Sequence, residues 1–158
     1  MESIEISECL TPTDEDRILR IWNNVYPVQV IFREAPEFHA YLDKAADAKH
    51  FIKRDDHLSV IAWLMTFNRD EKRYFVMLVS DDMQQRGIGK ELVMAMKKAE
   101  NNVSGWVVDS DHYQKADGKT YLSPMIFYKK LGFEITDKSM TRDDFVVRMI
   151  TWGRAIKK

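Results

Sequence analysis

Ile4 and Ile6 stand between polar neighbours from Ser3 to Cys9, a period of two that predicts a short edge strand. The period then lengthens. Ile18, Leu19, Ile21, Trp22 and Val25 recur at helical spacing behind Thr11-Pro12-Thr13-Asp14. This pattern predicts a helix with Thr13 as N-cap and Asp16 where a capping box has Glu. Tyr26-Pro27 breaks it, because a residue before proline is pushed out of the helical region. After Pro36, the set Phe38, Tyr41, Leu42 and Ala45 predicts a second helix ending in a lysine-containing turn.

From His57 to Phe67 the chain is apolar on both faces, and Tyr74 to Val79 repeats that character after a polar Asn68-Arg69-Asp70-Glu71 turn. Two adjacent antiparallel central strands are expected there. Ile88, Leu92, Val93, Met96 and Ala99 return to helical spacing just after a glycine, and Lys97 and Lys98 close that helix at its negative end. A short strand follows at Trp106-Val107-Val108, then a polar stretch from Asp109 to Lys119. Pro124 is expected to start another helix and Gly132 to stop it. Phe133 to Thr136 and Phe145 to Trp152 read as closing strands. No repeat or linker interrupts the series, so a single α/β (α+β) domain over residues 1–158 is expected.

Composition narrows the classes of function. Hydrophobic residues make up 45% and charged residues 31% of the 158, an ordinary globular balance with enough chain for a real core. The formal net charge of -1 provides no overall positive field for a phosphate backbone, so no nucleic-acid partner is expected. Cys9 is the only cysteine and has no partner within the chain, which fits a reducing compartment. The start Met1-Glu2-Ser3-Ile4-Glu5 is acidic, and no apolar run is long enough to span a bilayer. A cytoplasmic location without membrane association is therefore expected.

The most informative segment is Gln84-Gln85-Arg86-Gly87-Ile88-Gly89-Lys90, placed between an apolar strand and an amphipathic helix. Backbone N–H groups at such a junction converge at the positive end of the helix dipole, which suits a phosphate or pyrophosphate. Glycine at 87 and 89 allows the backbone close to an anion and tolerates positive φ. Arg86 and Lys90 add charge. A nucleotide-binding P-loop is excluded by Glu91, where Ser or Thr would have to follow Gly-Lys, and a dinucleotide fingerprint by Leu92 in place of its third glycine. A plain helix-capping turn is the alternative.

A second motif raises the signal: Tyr128-Lys129-Lys130-Leu131-Gly132-Phe133, one strand further on. Gln84, Gly87 and Gly89 followed by Tyr128, Gly132 and Phe133 resemble the paired motifs of the GNAT superfamily of N-acetyltransferases, and the order of elements is similar over nearly the whole chain. The resemblance implies a GNAT fold: a mixed, mostly antiparallel sheet of six or seven strands flanked by about four helices. It implies direct transfer of an acetyl group from acetyl-CoA to a primary amine of a small molecule or peptide. By the same resemblance, the backbone of Met77 and Val79 meets the pantetheine arm, and Gln84, Gln85, Arg86, Gly87, Ile88, Gly89 and Lys90 hold the pyrophosphate. Tyr128 would protonate the departing thiolate, or else merely pack against coenzyme or core. A GNAT-like domain that only binds acyl-CoA, as a sensor or partner module, is the alternative function.

The acceptor side is less determined. The strand from Arg73 to Val79 carries no Asp or Glu, so a water-relayed proton path is open, with Asp109 as candidate base or simply the start of a loop. Where the family often has Asn and Ala ahead of its tyrosine, this chain has Tyr121 and Pro124. Asp111, His112, Tyr113 and Tyr121 are candidate contacts for a cationic amine, or part of a solvated loop. Tyr26, with Trp22, Val28 and Phe32, lies where the family often walls its acceptor pocket. The histidines have no metal-site spacing, so no metal is expected. Apolar closing strands would permit a homodimer.

Overall fold

A computed structural model describes residues 3–154; Met1 and Glu2 of the acidic start, and residues 155–158, lie outside it. The first strand, β1 (Glu5–Ser7), lies at one edge. Helix α1 (Pro12–Val25) is capped by Thr11, not Thr13 as the sequence pattern predicted: the Thr11 hydroxyl accepts from the Asp14 amide at 3.1 Å. Pro12 explains the difference. It has no N–H to lose at the first helical position, and its fixed φ starts the helix two residues earlier. Helix α2 (Ala35–Asp43) follows, closed at its start by a reciprocal capping box between Glu34 and Glu37.

Strand β2 (Ala46–Arg54) has no counterpart among the predicted elements. Its core positions include two polar residues, His50 and Lys53, which hide the apolar pattern. Each is buried at the cost of a partner: His50 Nδ1 accepts from the Trp63 indole at 3.0 Å, and Lys53 pairs with Glu91 at 3.0 Å. Strands β3 (Val60–Arg69) and β4 (Lys72–Val79) form the expected antiparallel centre. The strands run further into the polar turn than expected, and the reversal is made by Asp70 and Glu71 alone, both at positive φ.

Helix α3 (Ile88–Ala99) crosses to β5 (Asn102–Val107), which starts four residues before the predicted strand. Helix α4 (Met125–Lys130) precedes β6 (Glu134–Arg142) and β7 (Phe145–Gly153). β6 is longer than the apolar pattern at its start suggested, because it is the far edge strand and most of it faces water.

The seven strands form one sheet in the order β1-β2-β3-β4-β5-β7-β6, antiparallel except between β4 and β5. Alternation of side chains across the sheet builds a core on each face. Ile18, Trp22 and Phe38 of α1 and α2 pack with Ile52, Trp63, Met65 and Leu78 on one face. Leu92, Val93 and Met96 of α3, with Tyr128 of α4, pack with Phe51, Leu64, Phe75 and Ile150 on the other. Among the described residues no helix is long and apolar enough to cross a membrane.

Candidate functional site

The seam between β4 and β5 is where the sheet opens. A single parallel pairing, Tyr74 with Ser104, joins the two strands. Just beyond it the Phe75 ring fills the space over Gly105, whose Cβ, were there one, would meet that ring at 2.7 Å. The Ser80 amide donates to the Ile61 carbonyl of β3 at 2.9 Å. Because backbone groups alternate direction along a strand, those of Val79 and Met77 point the other way, towards β5. Two side chains meet their carbonyls there: the Tyr26 hydroxyl donates to Met77 O, and the Gln84 amide donates to Val79 O at 3.1 Å.

The glycine loop closes the end of this seam. Gln85 and Gly87 are both left-handed, at φ 64 and 82, and turn the chain from β4 into α3. The first bond of α3 runs from the Glu91 amide to Gly87 O, so the amides of Ile88, Gly89 and Lys90 have no partner within the helix. Gln85, Arg86, Gly87 and Lys90 are exposed. The two glycines serve different ends. Gly87 has open space around it and is required by its φ, whereas a Cβ on Gly89 would lie 3.1 Å from the Phe127 ring and 3.5 Å from the Met77 methyl. The Lys90 side chain lines a groove of about 650 Å³ between α3 and β1, with Ile6, Met94 and Lys98, on the other flank of the helix from Phe127.

The Tyr128 to Phe133 spacing has a backbone cause. The Phe133 amide donates to Tyr128 O at 3.1 Å and the Gly132 amide to Lys129 O at 3.1 Å, with Gly132 at φ 91: a Schellman helix end. That motif brings the residue after the glycine against the residue five before it, and the Tyr128 and Phe133 rings accordingly lie 5.3 Å apart. Lys97 of α3 donates to Leu131 O and lies over the Phe133 and Trp152 rings, tying the two helices together. Tyr128 is buried against Phe75, and burial pushes its phenol far above the ordinary tyrosine range.

Tyr128 does not stand alone. Tyr26, from the end of α1, and Tyr121 have rings 6.4 Å apart. Burial pushes the Tyr121 phenol up to about 12 and the Tyr26 phenol well above its usual value. Tyr26 is further raised by the nearby Tyr121 and Tyr128 phenols, and Tyr128 by Tyr121. Three tyrosines distant in sequence therefore converge where Met77 faces the gap.

The polar stretch after β5 is a small hairpin. Gln114 pairs with Thr120, the Tyr121 amide donates to Tyr113 O at 2.8 Å, and Gly118 makes the turn at φ 84. The Val28 amide donates to Gln114 O at 2.9 Å, and Lys115 pairs with Asp81 at 3.2 Å, so the hairpin spans from the α1–α2 junction to the end of β4. The other candidates on this side have protein partners. Asp109 is paired with Arg148 at 2.6 Å. Asp111 accepts from the Ser123 amide at 2.8 Å. The Tyr113 hydroxyl donates to Asp144 O and accepts from the Val146 amide, both at 3.0 Å, which ties it to the β6–β7 turn. His112 is exposed. Phe127 and the Lys115–Asp81 pair went unassigned in the sequence; Phe127 stands just before the second motif, but only the fold brings it to Gly89.

The family model for the acetyltransferase (GNAT) domain matches residues 46–135, more than half of the chain. The chain belongs to the GNAT acetyltransferase family. The solved structures similar to this GNAT domain agree with the observed sheet and helices. An aminoglycoside 6′-N-acetyltransferase complexed with coenzyme A superimposes with a TM-score of 0.69 at 13% identity, covering 98% of this chain and 99% of that one. A phosphinothricin acetyltransferase from Sinorhizobium meliloti in complex with AcCoA gives 0.68 at 11% identity, covering 96% and 89%. The aminoglycoside 6′-N-acetyltransferase of Enterococcus faecium gives 0.68 at 13% identity, covering 98% and 99%. At these identities the likeness is one of fold. Comparison with curated proteins gives no match.

Proposed function

We propose that this GNAT domain is an N-acetyltransferase that moves an acetyl group from acetyl-CoA to a primary amine. The observation that carries the reading is the seam itself. β4 and β5 share one backbone pairing, the free amides of α3 stand at the end of the gap, and the buried Tyr128 packs against Phe75 of β4. The same two elements in an ordinary sheet would pair along their length.

In this reading the amides of Met77 and Val79 run beside the pantetheine arm as a neighbouring strand's would. The Val79 region polarises the thioester carbonyl. The segment from Gln84 to Lys90 takes the pyrophosphate with its backbone, while Arg86 adds charge. The coenzyme supplies an activated acetyl group and a thiolate leaving group. The amine nitrogen attacks the thioester carbon, the new C–N bond forms, and the C–S bond breaks. Tyr128, kept protonated by its burial, gives its proton to the sulfur and regains one from the amine's side of the site. Asp109, at the end of β5, is the carboxylate at which a water-relayed proton path would end; Arg148 fixes its position.

The engagement of Asp109 by Arg148 also favours a second reading, a domain that binds acyl-CoA without turnover. Free thiol release from acetyl-CoA in the presence of polyamines, amino acids, monoamines, aminoglycosides and peptide N-termini separates the two. Thiol release that depends on an amine supports the transferase. Tight coenzyme binding with no release from any of them selects the binding module.

A further inference from the structure

From Lys72 to Val79 every residue of β4 has a partner on β3, between Arg69 and Ala62. On its other edge β5 pairs with it at Tyr74 alone. A neighbouring strand would satisfy the two carbonyls that face this gap, Met77 O and Val79 O, with its own amides. Side chains do so in its place. The Tyr26 hydroxyl donates to Met77 O, and the Gln84 carboxamide donates to Val79 O at 3.1 Å. The two carbonyls stand two residues apart, about 7 Å along a strand, which is the step at which a β-ladder repeats.

Both donors are anchored. Tyr26 ends α1: its amide donates to Trp22 O, and its ring packs edge-on against Trp22 at 4.7 Å. Burial pushes its phenol well above the usual value, so it stays a donor. Gln84 also reaches Asp81, at 3.4 Å, and the Asp81 carboxylate pairs with Lys115 of the hairpin. Pro27, next to Tyr26, bridges to the same Lys115. One residue of the hairpin thus braces the backbone behind one donor and the carboxylate beside the other.

The atoms left over define what the edge can take. A carbonyl oxygen has two lone pairs, so Met77 O and Val79 O can each accept once more, and the amides of the same residues point into the gap. An extended chain with amide groups of its own can pair there without displacing either side chain. We infer that Tyr26 and Gln84 stand in for the absent strand and are positioning residues for the pantetheine arm of the coenzyme. This rests on the coenzyme seat described under the proposed function, which the transferase and the binding module share. Tyr26 then acts on the coenzyme and not on the acceptor wall where the sequence placed it.

The test measures Kd for CoA by calorimetry and, by displacement of CoA, for ADP, which has a diphosphate but no arm. Wild type is compared with Tyr26→Phe and with Gln84→Met, which keeps the length of the side chain and removes the donor. Each variant is expected to raise the CoA Kd roughly threefold to tenfold, the value of one hydrogen bond, and to leave the ADP Kd and the KM of any accepted amine within about twofold. Equal losses for CoA and ADP, together with a lowered melting temperature, overturn the inference and reduce both residues to supports of the fold. An unchanged CoA Kd removes the substituted residue from the arm, and a raised amine KM in its place returns Tyr26 to the acceptor side. A wild type that binds no CoA overturns the coenzyme seat, and the proposed function with it.

Discussion

Replacing Gly87 tests whether the loop ahead of α3 is held in shape by backbone geometry or by contact. The residue sits at φ 82, and a Cβ built on it meets nothing within 4 Å. Any loss on substitution must then come from the left-handed backbone, which costs an ordinary L-residue about 1–2 kcal/mol. For a chain of this length each kcal/mol lowers the melting temperature by roughly 2–4 °C, so Gly87→Ala is expected to melt about 2–8 °C below wild type. Asn tolerates that conformation better than Ala does, and there is room for it. Gly87→Asn should therefore melt between Ala and wild type, although its side chain is larger. Thermal unfolding of the three proteins without ligand decides the matter. An Ala variant as stable as wild type, or an Asn variant less stable than Ala, refutes the backbone explanation and would mean that a neighbour crowds the position.

Tyr128→Phe is expected to lower kcat by more than tenfold while coenzyme Kd, measured by calorimetry, changes less than about threefold; equal losses in both would reduce the tyrosine to packing. Asp109→Asn is expected to slow thiol release without altering coenzyme Kd, and an unchanged rate takes Asp109 out of the proton path. His50 has a folded-state pKa lowered by burial to about 4, from 6.5. Above pH 6.5 both folded and unfolded forms are neutral; as pH falls from 6.5 to 4 the unfolded chain gains a proton that the folded one refuses, so stability declines through that window. Urea midpoints between pH 4 and 7 should fall more steeply for wild type than for His50→Gln, whose side-chain oxygen can still accept from Trp63. Parallel pH profiles would contradict the assignment.

What could be read from the sequence followed from where side chains report the backbone directly. The Tyr128 to Phe133 spacing was legible because a Schellman end demands glycine at one position and an apolar contact beside it, whatever the function. Gly87 was legible for the same kind of reason. β2 was not, since buried His50 and Lys53 look like surface residues until Trp63 and Glu91 are brought to them by the fold. The meeting of Tyr26, Tyr121 and Tyr128 depends on the hairpin after β5 folding back over the end of α1, and no local periodicity encodes that. The individual tyrosines were visible as candidates; their proximity was not.

The lone rung between Tyr74 and Ser104 divides the molecule in a way its sequence order follows. Every strand before residue 80 lies on one side of that rung and every strand after 101 on the other, with α3 as the covalent strap between them. Beyond that rung the two blocks are held together by side chains, Phe75 of β4 sharing one core with Val103 of β5 and Ile150 of β7. Whatever lodges in the opening acts as mortar between them. Amide exchange along the facing edges of the two blocks should slow on addition of acetyl-CoA well beyond the residues it touches, with the outer edges at β1 and β6 exchanging as before.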